Sequence, residues 1–303
     1  MYDIVIVGGG PAGLSAAIYG RRANKSVLIL EKNAFGGQIV YSPKVENYPG
    51  FESISGSELA DTFVSQVLAQ GADVEVENVI GIRLGEGGVK LVDTEDGNCY
   101  EAKTVILANG AKHRRLGLER EEDFIGEGIS FCAVCDGAFY KNKTVALIGG
   151  GNSALQEAIL LSETCKQVIV VQNLDYLTGE KRLQELLAKR LNVEVLTGTV
   201  VKRIEGDREF SGITVERVAD GVERRIDADG MFIAIGLEPE NQAFGTLAKL
   251  DERGYFASCE DCLTVTDGVF VAGDCRAKAI RQVATAVSDG AVAALAACRY
   301  LDE

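Results

Sequence analysis

The sequence contains no tryptophan, one histidine, two methionines and four prolines among its 303 residues. With so few prolines, its 35 glycines favour tight turns between strands and helices over proline-rich linkers. Positive charge is also scarce, because 31 lysines and arginines stand against 45 acidic residues and leave a net charge of -14. This balance argues against a broad nucleic-acid-binding surface. The longest apolar runs are strand-sized, so we expect no membrane-spanning segment and no membrane partner.

The length and the amino-terminal residues set the next expectations. A chain of this size predicts two domains, and its 47% hydrophobic and 25% charged residues are ordinary for a globular protein. Residues 1–4 lead directly into an apolar strand without a basic region, which predicts no signal peptide and a cytoplasmic location. The eight cysteines of a cytoplasmic protein are not expected to form a disulfide framework, but two pairs have C-x-x-C spacing.

The first thirty residues have the pattern of a nucleotide-binding unit. Residues 3–7 predict a buried parallel strand, residues 8–13 form a G-x-G-x-x-G loop, and an alanine-rich helix then runs to about residue 23. A second strand, 26–30, leads to Glu31, whose carboxylate can accept hydrogen bonds from ribose hydroxyls. Gly8 permits the tight turn, Gly10 the approach of a pyrophosphate, and Gly13 the close packing of helix on strand. The pattern predicts a dinucleotide site, with phosphate at the helix N-terminus.

The same unit recurs after 141 residues. Segments 144–148, 149–154 and 167–171 align with the first strand, the glycine loop and the second strand, and Gln172 takes the place of Glu31. The strand ends at Gln172 rather than at an acid, the next acid, Asp175, lies three residues further along, and no NADP-type arginine follows within 172–178. Two missing charge-assisted hydrogen bonds cost about 3–6 kcal/mol of binding. We therefore expect a second Rossmann-like unit that keeps the fold and has lost the NAD(P) site, with a working site held through Asp175 as the alternative.

A candidate redox pair lies between the two units. Cys132 and Cys135 are close enough in sequence to form a disulfide that exchanges with another dithiol. If the pair begins a helix, the helix dipole favours thiolate, and the adjacent Asp136 is a candidate proton donor and acceptor. The alternative is half of a zinc site completed by Cys259 and Cys262. We favour the redox pair and expect no metal.

These motifs together resemble the low-molecular-weight flavin thioredoxin reductases along essentially the whole chain. The resemblance rests on both glycine loops and on segments 36–38, 45–50, 132–137, 271–275 and 281–283. It implies an α/β fold of two tandem Rossmann-like (three-layer ββα) nucleotide-binding domains, of the pyridine nucleotide-disulfide reductase type. A discontinuous FAD-binding domain would comprise 1–115 and 243–303, and a central redox domain 116–242. The family also implies a homodimer.

The resemblance also implies roles for individual residues. Cys135 would face the flavin, Cys132 would attack thioredoxin, and Asp136 would be the acid. The pyrophosphate would lie at the first glycine loop, the ribose at Glu31, and the ribitol at Asp274. The residues implied in FAD binding are Gly8, Gly10, Pro11, Ala12, Gly13, Glu31, Lys32, Gly37, Gln38, Asn47, Gly273, Asp274, Arg281, Gln282 and Val283.

The chain departs from the family where members carry the NADPH-binding arginines. Those places hold Gln172, Asn173, Leu174 and Thr178. We therefore expect reduction of thioredoxin with electrons from reduced ferredoxin. The alternatives are a flavin-dependent dithiol oxidase that uses oxygen and an NAD(P)H-dependent reductase with an atypical nucleotide site. An acidic ferredoxin needs a basic docking patch, either 112–115 or the cluster of Arg276, Lys278 and Arg281.

The remaining signals are weaker. We expect Cys259 and Cys262 to lie in a surface turn, with a second redox relay as the alternative. The other four cysteines are predicted to be small buried hydrophobic residues: Cys99, Cys165, Cys275 and Cys298. His113 is expected to be positional or polar rather than catalytic. Segments 111–117 and 237–244 are the predicted hinges between the two domains.

Overall fold

The computed structural model describes residues 1–42 and 44–303, and it divides into two compact units. Unit 1 comprises Met1–Lys112 and Glu238–Glu303, and unit 2 comprises His113–Leu237. The chain thus passes from one unit to the other within the segments 111–117 and 237–244. In the described part of the chain, no helix is both long and apolar enough to cross a membrane.

The amino-terminal part of unit 1 builds a mixed sheet. Its elements are β1 (Tyr2–Val7), α1 (Pro11–Arg22), β2 (Val27–Glu31), α2 (Gly56–Ala69), β3 (Asp73–Val76), β4 (Val79–Leu84), β5 (Lys90–Thr94), β6 (Cys99–Leu107) and β7 (Ala111–His113). The strand order is β3-β2-β1-β6-β5-β4, parallel from β3 to β6 and antiparallel beyond. Residues 4–7 of the central strand β1 are an uninterrupted apolar run and are buried, as expected for a strand whose two faces are covered.

Unit 2 repeats the parallel arrangement. Its elements are β8 (Ile129–Ser130), α3 (Ala133–Asp136), β9 (Thr144–Ile148), α4 (Asn152–Ser162), β10 (Gln167–Val171), α5 (Lys181–Leu187), β11 (Val193–Leu196), β12 (Thr199–Gly206), β13 (Phe210–Arg217), β14 (Glu223–Asp227) and β15 (Gly230–Ile233). The parallel sheet has the order β11-β10-β9-β15-β8, and β12-β13-β14 form a separate antiparallel sheet.

The last segment of the chain completes unit 1 with β16 (Leu237–Pro239), β17 (Val269–Val271) and α6 (Val283–Asp302). Strand β16 pairs with β7, and β17 adds to β6 in parallel. Helix α6 lies directly against α1, since a Cβ added at Gly290 would stand 2.1 Å from the Ala12 carbonyl oxygen. The two ends of the chain therefore share one core.

The predicted repeat is confirmed at the level of strand register. Ile4 pairs with Val27 in unit 1, and the residues 141 positions later, Val145 and Val168, pair in unit 2. One predicted boundary was less accurate. Strand β2 begins at Val27, because Ser26 instead exchanges hydrogen bonds with Asp3.

Candidate functional site

The first glycine loop has the backbone that the G-x-G-x-x-G pattern requires. Gly8 has a φ of +108°, and a Cβ there would stand 2.4 Å from the Ala108 carbonyl oxygen. A Cβ on Gly13 would stand 1.9 Å from the Gly8 oxygen, so helix and loop leave no room for a side chain. Gly10 meets nothing closer than 3.9 Å, and no side chain caps the first turn of α1. The open Gly10 and the uncapped helix are the features that an anion at this end needs.

Glu31, at the end of β2, makes hydrogen bonds that hold this loop in place. The Glu31 Oε2 atom accepts a hydrogen bond from the Gly9 N–H at 2.6 Å, and Oε1 accepts one from the Asn33 N–H at 3.0 Å. The neighbouring Lys32 is paired with Glu240 on the surface of unit 1. Each carboxylate oxygen of Glu31 keeps a lone pair, so the side chain can orient the loop and still accept from a ribose.

Several other predicted FAD residues lie against this loop or against one another. Gly37 approaches Gly10, since a Cβ on Gly37 would stand 3.1 Å from the Gly10 Cα. The Asn47 side-chain amide donates to the Gln282 Oε1 atom at 3.2 Å. Gln282 caps α6, with Val283 as the first helical residue, whereas the exposed Gln38 shows no described side-chain hydrogen bond.

Asp274 provides the clearest test of whether a flavin nucleotide fits. Its Oδ1 atom is buried and accepts no hydrogen bond from the described residues, although Lys278 Nζ lies 3.6 Å away. Burial raises the pKa of this carboxyl above its ordinary value, against the opposing charges of Lys278 and Arg281. The same short turn contacts the glycine loop, because a Cβ on Gly273 would stand 2.8 Å from the Ala12 Cβ. A buried acceptor beside the phosphate-type loop fits a ribitol hydroxyl, so the residues of unit 1 suit FAD.

The cationic cluster near Asp274 is buried, which corrects one of the two predicted docking patches. Arg276 is 2% exposed and makes two hydrogen bonds of 2.8 Å to the Asp289 carboxylate. Lys278 donates to Asp289 at 3.0 Å. Arg281 donates to three backbone carbonyls and lies over the Tyr255 ring. Arg276 and Lys278 are therefore not available to dock an acidic protein.

The predicted redox pair of unit 2 forms a disulfide at the start of a helix. Cys132 and Cys135 are bonded, with their Cα atoms 5.3 Å apart. Cys132 is the N-cap of α3, and its Sγ atom accepts from the Cys135 N–H at 3.2 Å. The pair therefore begins a helix, which is the condition under which the helix dipole favours thiolate. Among the described residues no group of three or more His, Cys, Asp or Glu side chains is placed to hold a metal ion.

Asp136 is connected to the disulfide through Ser130, a residue that no sequence motif marks. Ser130 donates from Oγ to the Asp136 Oδ2 atom at 2.6 Å and accepts from the Cys132 N–H at 3.1 Å. The other oxygen, Oδ1, is buried and has no described partner. Burial raises the pKa of Asp136, while the Ser130 hydrogen bond works in the opposite direction. The carboxyl is thus disposed to hold a proton next to the dithiol.

Glu157 is a second acid beside the disulfide that the sequence did not single out. It comes from α4, and its Oε2 atom accepts from the Ala133 N–H at 3.3 Å. Burial raises the pKa of Glu157 to about 7, despite that hydrogen bond. No local motif marks this residue, since it lies far along the chain from Cys132 and the packing of α4 brings it to α3.

The second glycine loop has the same turn as the first, but Gln172 lies beside it where the first loop has Glu31. Gly149 has a φ of +135°, and Ala154 stands where the first loop has Gly13. Gln172 is 5% exposed, and its amide donates to the Tyr176 carbonyl at 3.3 Å. The side chain covers Gly150, where a Cβ would meet it at 2.5 Å. Beyond it, Asn173, Leu174 and Thr178 are exposed and carry no charge.

The remaining singled-out residues lie in diverse places. Cys165, Cys275 and Cys298 are buried as predicted, but Cys99 is exposed, because it begins β6 at the outer end of that strand. Cys259 is exposed and Cys262 is fully buried, so the predicted surface position is confirmed for Cys259 and wrong for Cys262. His113 stacks on Phe131 at 4.7 Å, and burial lowers its pKa to about 4.

Comparisons with known proteins agree with this geometry. Residues 2–290 match the family model described as pyridine nucleotide-disulphide oxidoreductase. The chain is 42% identical to the "34.2 kDa protein in rubredoxin operon" of Clostridium pasteurianum, over 99% of this chain and 97% of that protein. It is 39% identical to the thioredoxin reductase of Listeria innocua, over 100% of this chain and 95% of that protein.

The fold also matches a solved structure. The thioredoxin reductase of Streptococcus pyogenes superimposes with a TM-score of 0.94 and 40% identity, covering 100% of this chain and 98% of that one. The expected α/β fold and the expected FAD cofactor are confirmed. The chain belongs to the pyridine nucleotide-disulphide oxidoreductases, in their low-molecular-weight thioredoxin reductase family, and is an FAD-binding oxidoreductase.

Proposed function

We propose that this protein reduces the disulfide of thioredoxin through FAD and the Cys132–Cys135 dithiol, with electrons from reduced ferredoxin rather than from NADPH. The observation that carries the proposal is the disulfide at the start of α3 with a carboxyl beside it, Asp136, whose pKa burial raises. Relatives that align over 95% or more of their own length are named thioredoxin reductase, which supports the substrate.

The proposed FAD-binding domain corresponds to 1–115 and 243–303. There the first glycine loop holds the pyrophosphate, Glu31 a ribose and Asp274 the ribitol. Gly37, Gln38 and Asn47 then lie near the flavin. When bound there, FAD would supply the electron pair that reduces a disulfide, since a flavin can take up electrons singly or in pairs.

The proposed redox domain, 116–242, carries the thiol chemistry. Reduction of the disulfide consumes two electrons and two protons. Cys135 is the thiol on the flavin side, and Cys132 attacks the disulfide of thioredoxin. Asp136 holds a proton for the departing thiolate, since burial favours its neutral form. Ser130 orients this carboxyl and the Cys132 backbone with one hydroxyl.

We infer the electron donor from the residues that follow the second glycine loop and strand β10. Where an NADPH site needs arginines for the 2′-phosphate, the chain has the inward Gln172 and the uncharged Asn173, Leu174 and Thr178. A plant-type ferredoxin near about -400 mV can reduce thioredoxin near about -270 mV, and two electrons then release about 6 kcal/mol. The relative from Clostridium pasteurianum is named for a rubredoxin operon.

The partners and location follow from the same proposal. We expect a cytoplasmic homodimer, on the family resemblance. With Arg276 and Lys278 buried, the remaining basic candidates for a docking patch lie in 112–115, where Arg114 and Arg115 are exposed. Replacing both arginines by glutamate is expected to slow reduction by ferredoxin while chemical reduction by dithionite is unchanged.

The deciding experiment is anaerobic bleaching of the flavin near 450 nm. The holoenzyme is mixed in turn with excess NADPH, NADH and reduced ferredoxin, and oxidised thioredoxin is added last. Bleaching by ferredoxin alone, reversed by thioredoxin, is the expected result. Rapid bleaching by a pyridine nucleotide contradicts the ferredoxin proposal. Fast reoxidation in air with peroxide formation, and no reversal by thioredoxin, identifies a dithiol oxidase.

A gain-of-function variant examines the lost nucleotide site directly. Asn173→Arg/Leu174→Arg/Thr178→Arg restores the cations that the family resemblance places there, at three exposed positions. We expect this variant to bleach with NADPH faster than the wild type does. Matched lysine substitutions are the control, because they add charge without the bidentate geometry. Equal NADPH rates in wild type and the arginine variant would contradict the assignment of the lost site to this segment.

A further inference from the structure

The second C-x-x-C pair, Cys259 and Cys262, has no part in the proposed reaction. Both residues lie in unit 1, where the Cys262 N–H donates to the Cys259 carbonyl at 3.2 Å and closes a tight turn. Such a turn holds its first and fourth Cα atoms within about 7 Å, and a disulfide needs a Cα separation of about 4.4–6.8 Å. The turn therefore meets the Cα separation that a disulfide requires, and the two side chains must still turn toward each other, since Cys259 is exposed and Cys262 is buried.

The two thiols differ in their surroundings. Cys259 is exposed, whereas Cys262 is fully buried and its Sγ atom donates to the Asp289 carbonyl at 3.6 Å. Burial raises the pKa of Cys262 to about 12. Cys259 is thus the thiol that an oxidant in solution reaches first, and Cys262 is the thiol that closes the bond.

The turn is tied to the loop that contains Asp274. The Arg276 guanidinium donates to the Cys259 carbonyl at 3.4 Å and to both oxygens of the Asp289 carboxylate. The Asp289 Oδ2 atom also accepts from the Gly273 N–H at 3.0 Å. One buried ion pair therefore contacts both the cysteine turn and the backbone beside the FAD-binding aspartate.

We propose that Cys259 and Cys262 form a second redox-active dithiol, whose oxidation is transmitted to the FAD-binding loop through Arg276 and Asp289. The oxidant is a disulfide. The Cys259 thiolate attacks one of its sulfurs, so that a mixed disulfide forms and one thiol leaves. Cys262 then displaces the second thiol. The oxidant's S–S bond is replaced by the Cys259–Cys262 bond, and two electrons and two protons end on the released thiols.

The link to the flavin follows from the contacts that this step breaks. To reach Cys259, the Cys262 Sγ atom must leave the Asp289 carbonyl, and the turn held by Arg276 must shift with it. Asp289 anchors the Gly273 backbone, so the shift reaches the loop that holds Asp274. Oxidation is therefore expected to speed the release of FAD.

The test uses the FAD-loaded full chain with Cys132→Ser/Cys135→Ser, which removes the first dithiol. The protein is incubated with oxidised glutathione and alkylated, and the tryptic peptide 254–276 is sequenced by mass spectrometry. We expect the loss of two alkylatable thiols, at positions 259 and 262, and their return with dithiothreitol. Cys259→Ser and Cys262→Ala should abolish the bond, whereas Cys99→Ser, which changes another exposed thiol, should leave it.

Two results would overturn the proposal. Full alkylation of both cysteines, or a stable glutathione adduct on Cys259 with Cys262 still alkylated, excludes a dithiol. The rate of FAD release after dilution, followed by flavin fluorescence, tests the link to the flavin. Disulfide formation without faster release excludes transmission through Arg276 and Asp289. Neither readout depends on the electron donor, so both are separate from the test of the proposed function.

Discussion

The Glu157 carboxyl offers the sharpest quantitative prediction, because its environment ties protein stability to pH near neutrality. Its pKa is raised by burial from 4.5 to about 7. The folded protein therefore binds a proton between these values that the unfolded chain has released. The stability from this site is fully present below pH 4.5 and is lost as the pH rises through 7. At 1.36 kcal/mol per pKa unit, the loss amounts to about 3 kcal/mol.

Glu157→Gln removes the ionisation and keeps an oxygen for the Ala133 N–H. The variant should therefore gain stability over the wild type as the pH rises from 5 to 8, by about 2.5 kcal/mol across the range. Urea unfolding followed by circular dichroism at the two pH values measures this difference, since the chain has no tryptophan to report it. Glu185→Gln, at an exposed site on α5, is the control. Parallel pH dependences in wild type and Glu157→Gln would refute the reasoning.

Four further substitutions test other parts of the same structure. Ser130→Ala removes the hydrogen bond that lowers the pKa of Asp136, so the alkaline limb of the turnover profile should move to higher pH; an unchanged profile contradicts this. A Cβ on Gly13 would stand 1.9 Å from a backbone oxygen, so Gly13→Ala should not yield folded holoenzyme. A Cβ on Gly10 would have no neighbour closer than 3.9 Å, so Gly10→Ala should fold and lose FAD. Circular dichroism checks the folding of both variants, the ratio of flavin to protein absorbance checks their FAD content, and a folded Gly10→Ala protein that keeps its flavin argues against the phosphate role. Asp289→Asn leaves two buried cations with a neutral partner and should cost unit 1 about 3–5 kcal/mol, measured as a lower Tm; an unchanged Tm would contradict the buried ion pair.

What the sequence predicted well is local in the chain. The strands β1, β2, β9 and β10 are apolar runs of the length that a covered parallel sheet requires, and the glycines that follow β1 and β9 fix the turns. The disulfide could be foreseen because its two cysteines lie three positions apart.

What the sequence could not predict depends on contacts between distant segments. Arg276 and Lys278 appeared to be free cations, but both are paired in the core with the buried Asp289 on α6. Glu157 reaches the disulfide because α4 packs on α3, and no pattern in either helix encodes that contact. The exposure of Cys99 is a similar case, since it depends on where β6 begins in the sheet.

The second glycine loop explains why a unit without a nucleotide acid keeps its fold. The loop leads into helix α4, and the segment that carries the dithiol packs against this helix. Glu157 on α4 accepts from the Ala133 N–H, and a Cβ on Gly137, directly after α3, would stand 3.1 Å from the Leu161 side chain. Loss of the Gly149 turn would move α4 and with it the support of the disulfide. Because this mechanical role is independent of any nucleotide, the residue after β10 is free to change to Gln172 while the turn remains.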